Sequence, residues 1–347
     1  MEREAYLMGT RLRLRIAAPD RSRALSGSEA ALAAVERLEA RLSTWRRGTE
    51  MERANRARVG KPVVLSGRLG SLLAEAFRWA EATGGAFDPA VGALVDAWDV
   101  RGAGRRPTPP ELKRALAATG ETGIRLDPAA GTLTRLDEAA WVDPGGFGKG
   151  AALQRARDAL VERGLDRALL DFGGQVLTLG SETGDGTGWP VAVAHPSARE
   201  RPVVSLRIRD ASVATTGTSE RFVEVGGERV GHVLDPRSGR PVAPWGSVTV
   251  VARDPVAADA LSTALYVLGP DDALVWARGR HDLGILVLES METGELRARW
   301  SPAMERWLDG EVSPEARGME RGQRRRAADG EGTEIAKTKS ANRQKRR

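Results

Sequence analysis

Residues 232–269 read HVLDPRSGRPVAPWGSVTVVARDPVAADALSTALYVLG, and they hold a tight polar loop, a strand and a capped helix. Asp254 stands where a side chain can cap the first helical turn, and Pro255 suits the first helical residue. Gly269 suits the far end. Ala258, Leu261, Ala264, Leu265 and Val267 would bury the helix, while Asp259 and Thr263 are spaced i, i+4. That spacing sets a carboxylate and a hydroxyl one turn apart on one face. Two oxygen donors on a rigid helix suit a Mg²⁺ that takes its other ligands from phosphate and water. Spacing alone also allows a solvated face or a local hydrogen bond.

Working outward, Gly284–Leu288 and Glu295–Trp300 read as strands after a short helix around Ala273–Ala277. Upstream, Phe222–Val225 and Arg229–Val233 read as a hairpin on Gly226-Gly227. Pro190–Ala194, Val203–Ile208 and Ser212–Thr215 are further strands, and Ala168–Phe172 enters another. Near the start, Leu12, Leu14 and Ile16 alternate with arginines as a half-buried strand. Helices are expected over Ser28–Leu42, Leu69–Thr83 and Glu111–Thr119, with a polar loop from Ser43 to Asn55. Residues 101–110, RGAGRRPTPP, read as an insertion-like surface connection. Frequent hairpins among the helices point to an α+β fold with mixed, largely antiparallel sheets.

The glycine loop at 143–150, DPGGFGKG, follows a short strand expected at Ala139–Val142 and opens a helix ending near Gly164. A P-loop fails, because Asp143 and Gly150 stand where it needs Gly and Ser/Thr. A dinucleotide fingerprint comes closer: Gly146-x-Gly148-x-x-Ala151 lies between strand and helix, with Asp171 about 20 residues on. A phosphate cradle is the third reading, in which backbone N–H groups and Lys149 meet an anion beside Asp143. A glycine-rich turn with no ligand is the fourth.

Composition narrows the classes. A chain of 347 residues, 41% hydrophobic, can bury an ample core, and without cysteine it has neither disulfides nor thiolate metal sites. No run approaches the roughly 20 apolar residues of a membrane span. The net charge of +6 is carried by one end: residues 317–347 hold 11 Lys/Arg against 4 Asp/Glu, a net of +7, leaving the other 316 residues at −1. A near-neutral body argues against specific nucleic-acid binding. We therefore divide the chain into one folded domain at 1–315 and a basic, disordered tail at 316–347, suited at most to weak contact with an anionic surface. The start, MEREAYLMGTRLRLRI, shows no signal peptide.

Taken together, several segments resemble the ApbE family of FAD:protein FMN transferases. They are Met8-Gly9-Thr10, Leu42-Ser43-Thr44-Trp45 with Asn55, Gly84 to Gly92, Asp143 to Gly150, and Gly173-Gly174. Ala214 to Gly217, His232-x-x-Asp235-Pro236-x-x-Gly239-x-Pro241 and Ala258-Asp259-Ala260-x-x-Thr263-Ala264 complete the series. The resemblance implies a Mg²⁺-dependent enzyme that moves FMN from FAD to a Thr hydroxyl of a target protein, a subunit of a membrane redox complex, and releases AMP. FAD diphosphatase activity giving FMN and AMP, a non-catalytic flavin-binding protein and, more distantly, an NAD-dependent dehydrogenase are the alternatives. By resemblance the metal falls on Asp259, Thr263 and the Gly146 carbonyl. FAD, in a cleft between two halves, falls on Met8, Ala86, Phe87, Asp88, Asp143, Lys149 and His232, with His232 or a metal-side carboxylate such as Asp259 as catalytic group. Gln154 and Pro144 depart from the family pattern. Family members are usually exported, which sits against the missing signal.

Overall fold

The computed structural model describes residues 1–217, 222–225 and 228–310. Its centre is an eight-stranded sheet: β1 (Glu2–Leu7), β2 (Thr10–Ile16), β3 (Ala168–Phe172), β4 (Gln175–Leu179), β5 (Ser212–Gly217), β6 (Gly246–Ala252), β7 (Gly284–Ser290) and β8 (Leu296–Trp300). The strands lie side by side in chain order, and every neighbouring pair is antiparallel. The helices and smaller hairpins enter as excursions between consecutive strands. This confirms the α+β expectation and excludes the dinucleotide fold, which needs parallel strands joined by crossovers.

Both sheet faces are covered, so the central strands read as nearly continuous apolar runs. Along β6, Val248 and Val250 enter the main core while Val251 enters a second core on the opposite face. Along β7, Ile285 and Val287 alternate in the same way with Leu286 and Leu288. The second core is closed by the hairpin Trp189–His195/Ala198–Ile208 and by a 3₁₀ turn at Pro302–Trp307.

The main core packs under helices α1 (Arg21–Leu42), α2 (Glu50–Asn55), α3 (Gly67–Ala82), α4 (Gly92–Trp98), α5 (Pro109–Ala117), α6 (Gly148–Val161), α7 (Pro255–Leu268) and α8 (Pro270–Trp276). Helix α7 is apolar on nearly all sides, as expected of a helix enclosed by other elements. Polar bonds fix its place on the sheet. Gln175 Nε2 donates to the Pro255 carbonyl at 2.8 Å, and the hydroxyls of Thr216 and Ser262 meet at 2.8 Å.

Several elements differ from expectation. Helix α1 begins seven residues before Ser28, capped by Asp20, because Gly27 is a packing glycine there: a Cβ would lie 2.1 Å from Leu165 Cδ1. The expected loop at Ser43–Asn55 contains α2, capped by Thr49. Strand β1, and a small sheet formed by Val63–Val64, Ile124–Asp127 and Thr132–Arg135, carry too little apolar alternation to stand out. Ala139–Val142 is not a strand. Its end is held by a side chain instead: Asn55 Nδ2 donates to the Val142 carbonyl at 3.0 Å, and the Val142 N–H donates to Asn55 Oδ1 at 2.9 Å. The basic tail and the Gly226-Gly227 turn lie outside the described residues.

Candidate active site

Asp259 is the point where buried charge and the glycine loop meet. Its residue is only 3% exposed, inside an otherwise apolar helix. An ionised carboxylate there needs compensation. Both oxygens have it: Lys149 Nζ lies 3.0 Å from Oδ1, and the Gly150 N–H donates to Oδ2 at 2.9 Å. The first turn of α6 is thereby bonded to the middle of α7. Gly150 is required for that approach, since a Cβ would lie 2.2 Å from the Pro255 carbonyl oxygen. One of the helix N–H groups expected to cradle phosphate is therefore already engaged by Asp259.

The loop before α6 is a 3₁₀ turn, Pro144–Gly146, capped by Asp143, whose Oδ1 accepts from the Gly145 N–H at 2.8 Å. Asp143 N–H in turn donates to the Pro89 carbonyl at 2.8 Å, which anchors the turn beside the 84–92 segment. Gly146 passes close to Phe87 and Thr263: a Cβ would sit 2.9 Å from Phe87 Cε2 and 3.5 Å from Thr263 Oγ1. Thr263 itself donates to the Asp259 carbonyl at 3.4 Å. At the head of α6, the terminal methyl of Met8 lies 3.4 Å from where a Gly148 Cβ would be. Met8 reaches that place from a strained turn, with φ of 49°.

Of the residues singled out from sequence, the structure thus gathers Met8, Phe87, Asp143, Gly146, Lys149, Asp259 and Thr263 around one loop. Ala86 is buried directly before Phe87. Asp88 turns to a local task, accepting from the Ala90 N–H at 2.7 Å, and burial pushes its carboxyl up to about 6. The Ala90 hydrogen bond opposes that rise, and the nearby Glu121 charge contributes to it. His232 is half-buried in the loop before Leu234. The turn of the small hairpin that follows, Leu234–Asp235 paired with Arg240–Pro241, is pinned to α4 through Trp98 Nε1, which donates to the Gly239 carbonyl at 2.7 Å.

Arg101, read from sequence as part of a surface connection, belongs to this neighbourhood. Its Nη2 donates to Asp143 Oδ1 at 2.5 Å and its Nη1 to Thr44 Oγ1 at 2.9 Å. The guanidinium also lies 5.1 Å and 4.8 Å from the ring centres of Trp45 and Trp141. The chain returns there because Asp99 ends α4 in the left-handed conformation, with φ of 50°.

The donor set near Asp259 fits a small hard cation. It offers the Asp259 carboxylate and the Thr263 hydroxyl, with Gly146 beside that hydroxyl, and no group of three or more His, Cys, Asp or Glu side chains forms a cage among the described residues. Few protein ligands are what Mg²⁺ takes when phosphates and water complete its shell.

Comparison with known proteins decides the family: the ApbE family model matches residues 8–287. The chain belongs to the ApbE family. It is 29% identical over 313 residues to an FAD:protein FMN transferase of Klebsiella pneumoniae, spanning 88% of each chain. An FAD:protein FMN transferase of Treponema pallidum is 34% identical over 251 residues, 68% of this chain and 69% of that protein. Among solved structures, the flavin transferase ApbE from Vibrio cholerae superimposes with a TM-score of 0.78 at 26% identity, over 89% of this chain and 99% of that one. The ApbE protein of Thermotoga maritima gives 0.80 at 28% identity with the same coverage.

Proposed function

We infer that this ApbE protein is a transferase that uses FAD as its substrate and moves the FMN half to a hydroxyl of an acceptor protein. One observation carries the reading at the level of the site: a buried carboxylate, a lysine and a glycine turn converge beside Thr263, the grouping that a cleaved pyrophosphate requires. Family membership and the transferase relatives support the substrate.

In the reaction, the acceptor oxygen attacks the phosphorus of the FMN phosphate. The P–O bond to the AMP phosphate breaks, the bridging oxygen leaves with AMP, and the hydroxyl proton passes to a base. Phosphoryl transfer of this kind asks chiefly for positioning and charge neutralisation. Lys149 provides a mobile positive charge for the phosphates, and Asp143 holds the turn in shape. Phe87, Ala86 and Met8 give the loop an apolar wall against water, while Asp88 shapes the chain after Phe87. His232 is the proposed base, since an imidazole titrates near neutrality. Asp259, the Thr263 hydroxyl and the Gly146 carbonyl would hold Mg²⁺, which when bound neutralises charge on the pyrophosphate and leaving AMP. The acceptor group we propose is a Thr hydroxyl on a subunit of a membrane redox complex.

The test is incubation with FAD, Mg²⁺ and an acceptor carrying the target Thr, read by in-gel flavin fluorescence. Flavin bonded to the acceptor, lost in Asp259→Ala, is the expected result. FMN released only into solution would replace transfer with FAD hydrolysis. Flavin binding without turnover in the unaltered protein would reduce the chain to a passive binder.

A further inference from the structure

The Lys149–Asp259 pair has a consequence for how a cation enters. It rests on the reading above that Asp259 is a cation ligand. The two oxygens of Asp259 are held by very different partners. Oδ2 is bonded to the Gly150 N–H, a backbone group fixed by the packing of α6 against Pro255. Oδ1 is bonded to an ammonium on a four-carbon stem, and the Lys149 side chain is 33% exposed against 4% for that of Asp259. The backbone donor cannot leave without moving a helix, whereas the lysine can swing toward solvent.

We propose that Lys149 is a resident counter-charge that occupies the cation-facing oxygen of Asp259 and gives it up when a divalent cation arrives. A buried carboxylate in an apolar helix needs a positive partner at all times. Lys149 supplies it before the cation does. Once the cation sits on Oδ1, a second positive charge in contact is repelled, and the released ammonium turns toward the phosphates. Lys149 is then a positioning residue with two stations: it keeps the site folded when no cation is present and serves the nucleotide when one is. An ammonium competing for Oδ1 weakens cation binding in the absence of FAD. Removing it has the opposite sign to removing a ligand.

Mn²⁺ serves as the probe, titrated into the full chain without FAD at neutral pH and low salt, with free Mn²⁺ read by electron paramagnetic resonance. Lys149→Met and Lys149→Gln are each expected to bind Mn²⁺ about 10-fold more tightly than the unaltered protein, a gain of about 1.4 kcal/mol. The glutamine keeps a hydrogen bond to Asp259 and guards against a variant that fails through folding alone. Lys149→Arg, which keeps the charge, is expected to stay near the unaltered affinity. Asp259→Asn should abolish the saturable site in every background. Unchanged or weaker binding in both neutral variants, with binding still lost in Asp259→Asn, overturns the exchange while leaving Asp259 as a ligand. Binding indifferent to Asp259→Asn, with and without FAD, overturns the cation reading itself.

Discussion

Arg101 donates to Asp143 across 2.5 Å, joining the loop after α4 to the cap of the glycine turn. The carboxylate is nearly buried, and its Oδ1 serves the Gly145 N–H as well. Removing the guanidinium strands that charge and frees Trp45 and Trp141 from their shared cation. Arg101→Ala should lower stability by about 2–3 kcal/mol and raise the KM for FAD more than it lowers kcat. Arg101→Lys should recover only part, because an ammonium lacks the planar fork. Chemical denaturation alongside initial rates at varied FAD checks both statements, and an undisturbed KM in Arg101→Ala would separate Arg101 from the nucleotide.

Gly150 carries the contact between α6 and α7. A methyl group there would have to share space with the Pro255 carbonyl, a backbone atom that cannot turn aside. Gly150→Ala should force the two helices apart, cost about 1–3 kcal/mol or more, and lengthen the bond to Asp259. Urea unfolding of the variant, compared with Gly70→Ala in the open stretch of α3, reads the difference. Gly70 has only Leu65 Cβ within 4 Å, at 3.9 Å, so its alanine should be near neutral.

The contrast between these glycines shows what the sequence could and could not disclose. Asp259 and Thr263 were legible because α7 has a capping Asp, an initial Pro, a terminal Gly and an unbroken apolar surface that leaves few polar side chains to explain. Lys149 came from the phosphate-cradle reading of the glycine loop, whereas Met8 and Phe87 were reached only through family resemblance, since nothing local marks a methionine in a hairpin turn as a neighbour of residue 148. Arg101 escaped both routes. Its position depends on Asp99 adopting a left-handed conformation that favours glycine, so a surface connection was the natural reading. Ala139–Val142 misled in the other direction: its apolar run suits a strand, but Ala139 and Ala140 bond to the neighbouring Asp137 and Val142 to the Asn55 side chain.

Asn55 therefore acts as a one-residue strand partner for Val142, which is fully buried. Truncating it leaves a buried N–H and a buried C=O without their bonds. Asn55→Ala should destabilise by about 2–4 kcal/mol, whereas Asn55→Asp keeps the acceptor, loses the donor and should fall between. Hydrogen exchange at the Val142 amide offers a direct local readout: faster exchange in both variants at matched global stability is not expected for Asn55→Asp, whose acceptor to that N–H survives.

Glu75 provides the pH signature of the fold. Its Oε1 is buried without a hydrogen-bond partner, and burial together with the neighbouring Asp254 carboxylate pushes its pKa up to about 8. Arg78 opposes this only in part. Asp254 is the cap of α7, accepting from the Val256 N–H at 2.8 Å. In the unfolded chain a Glu ionises near pH 4.3. A folded value above the unfolded one means that the folded state holds the extra proton between about pH 4.3 and 8. The stabilisation is therefore complete below that window and is lost as pH climbs through it. Partial exposure keeps the effect modest. Glu75→Gln, neutral at every pH, should flatten this loss, so that the variant gains on the unaltered protein as pH rises from 5 to 8.5. Thermal melts across that range test it, and a melting-temperature difference that stays constant with pH would show that the Glu75 proton does not couple to folding.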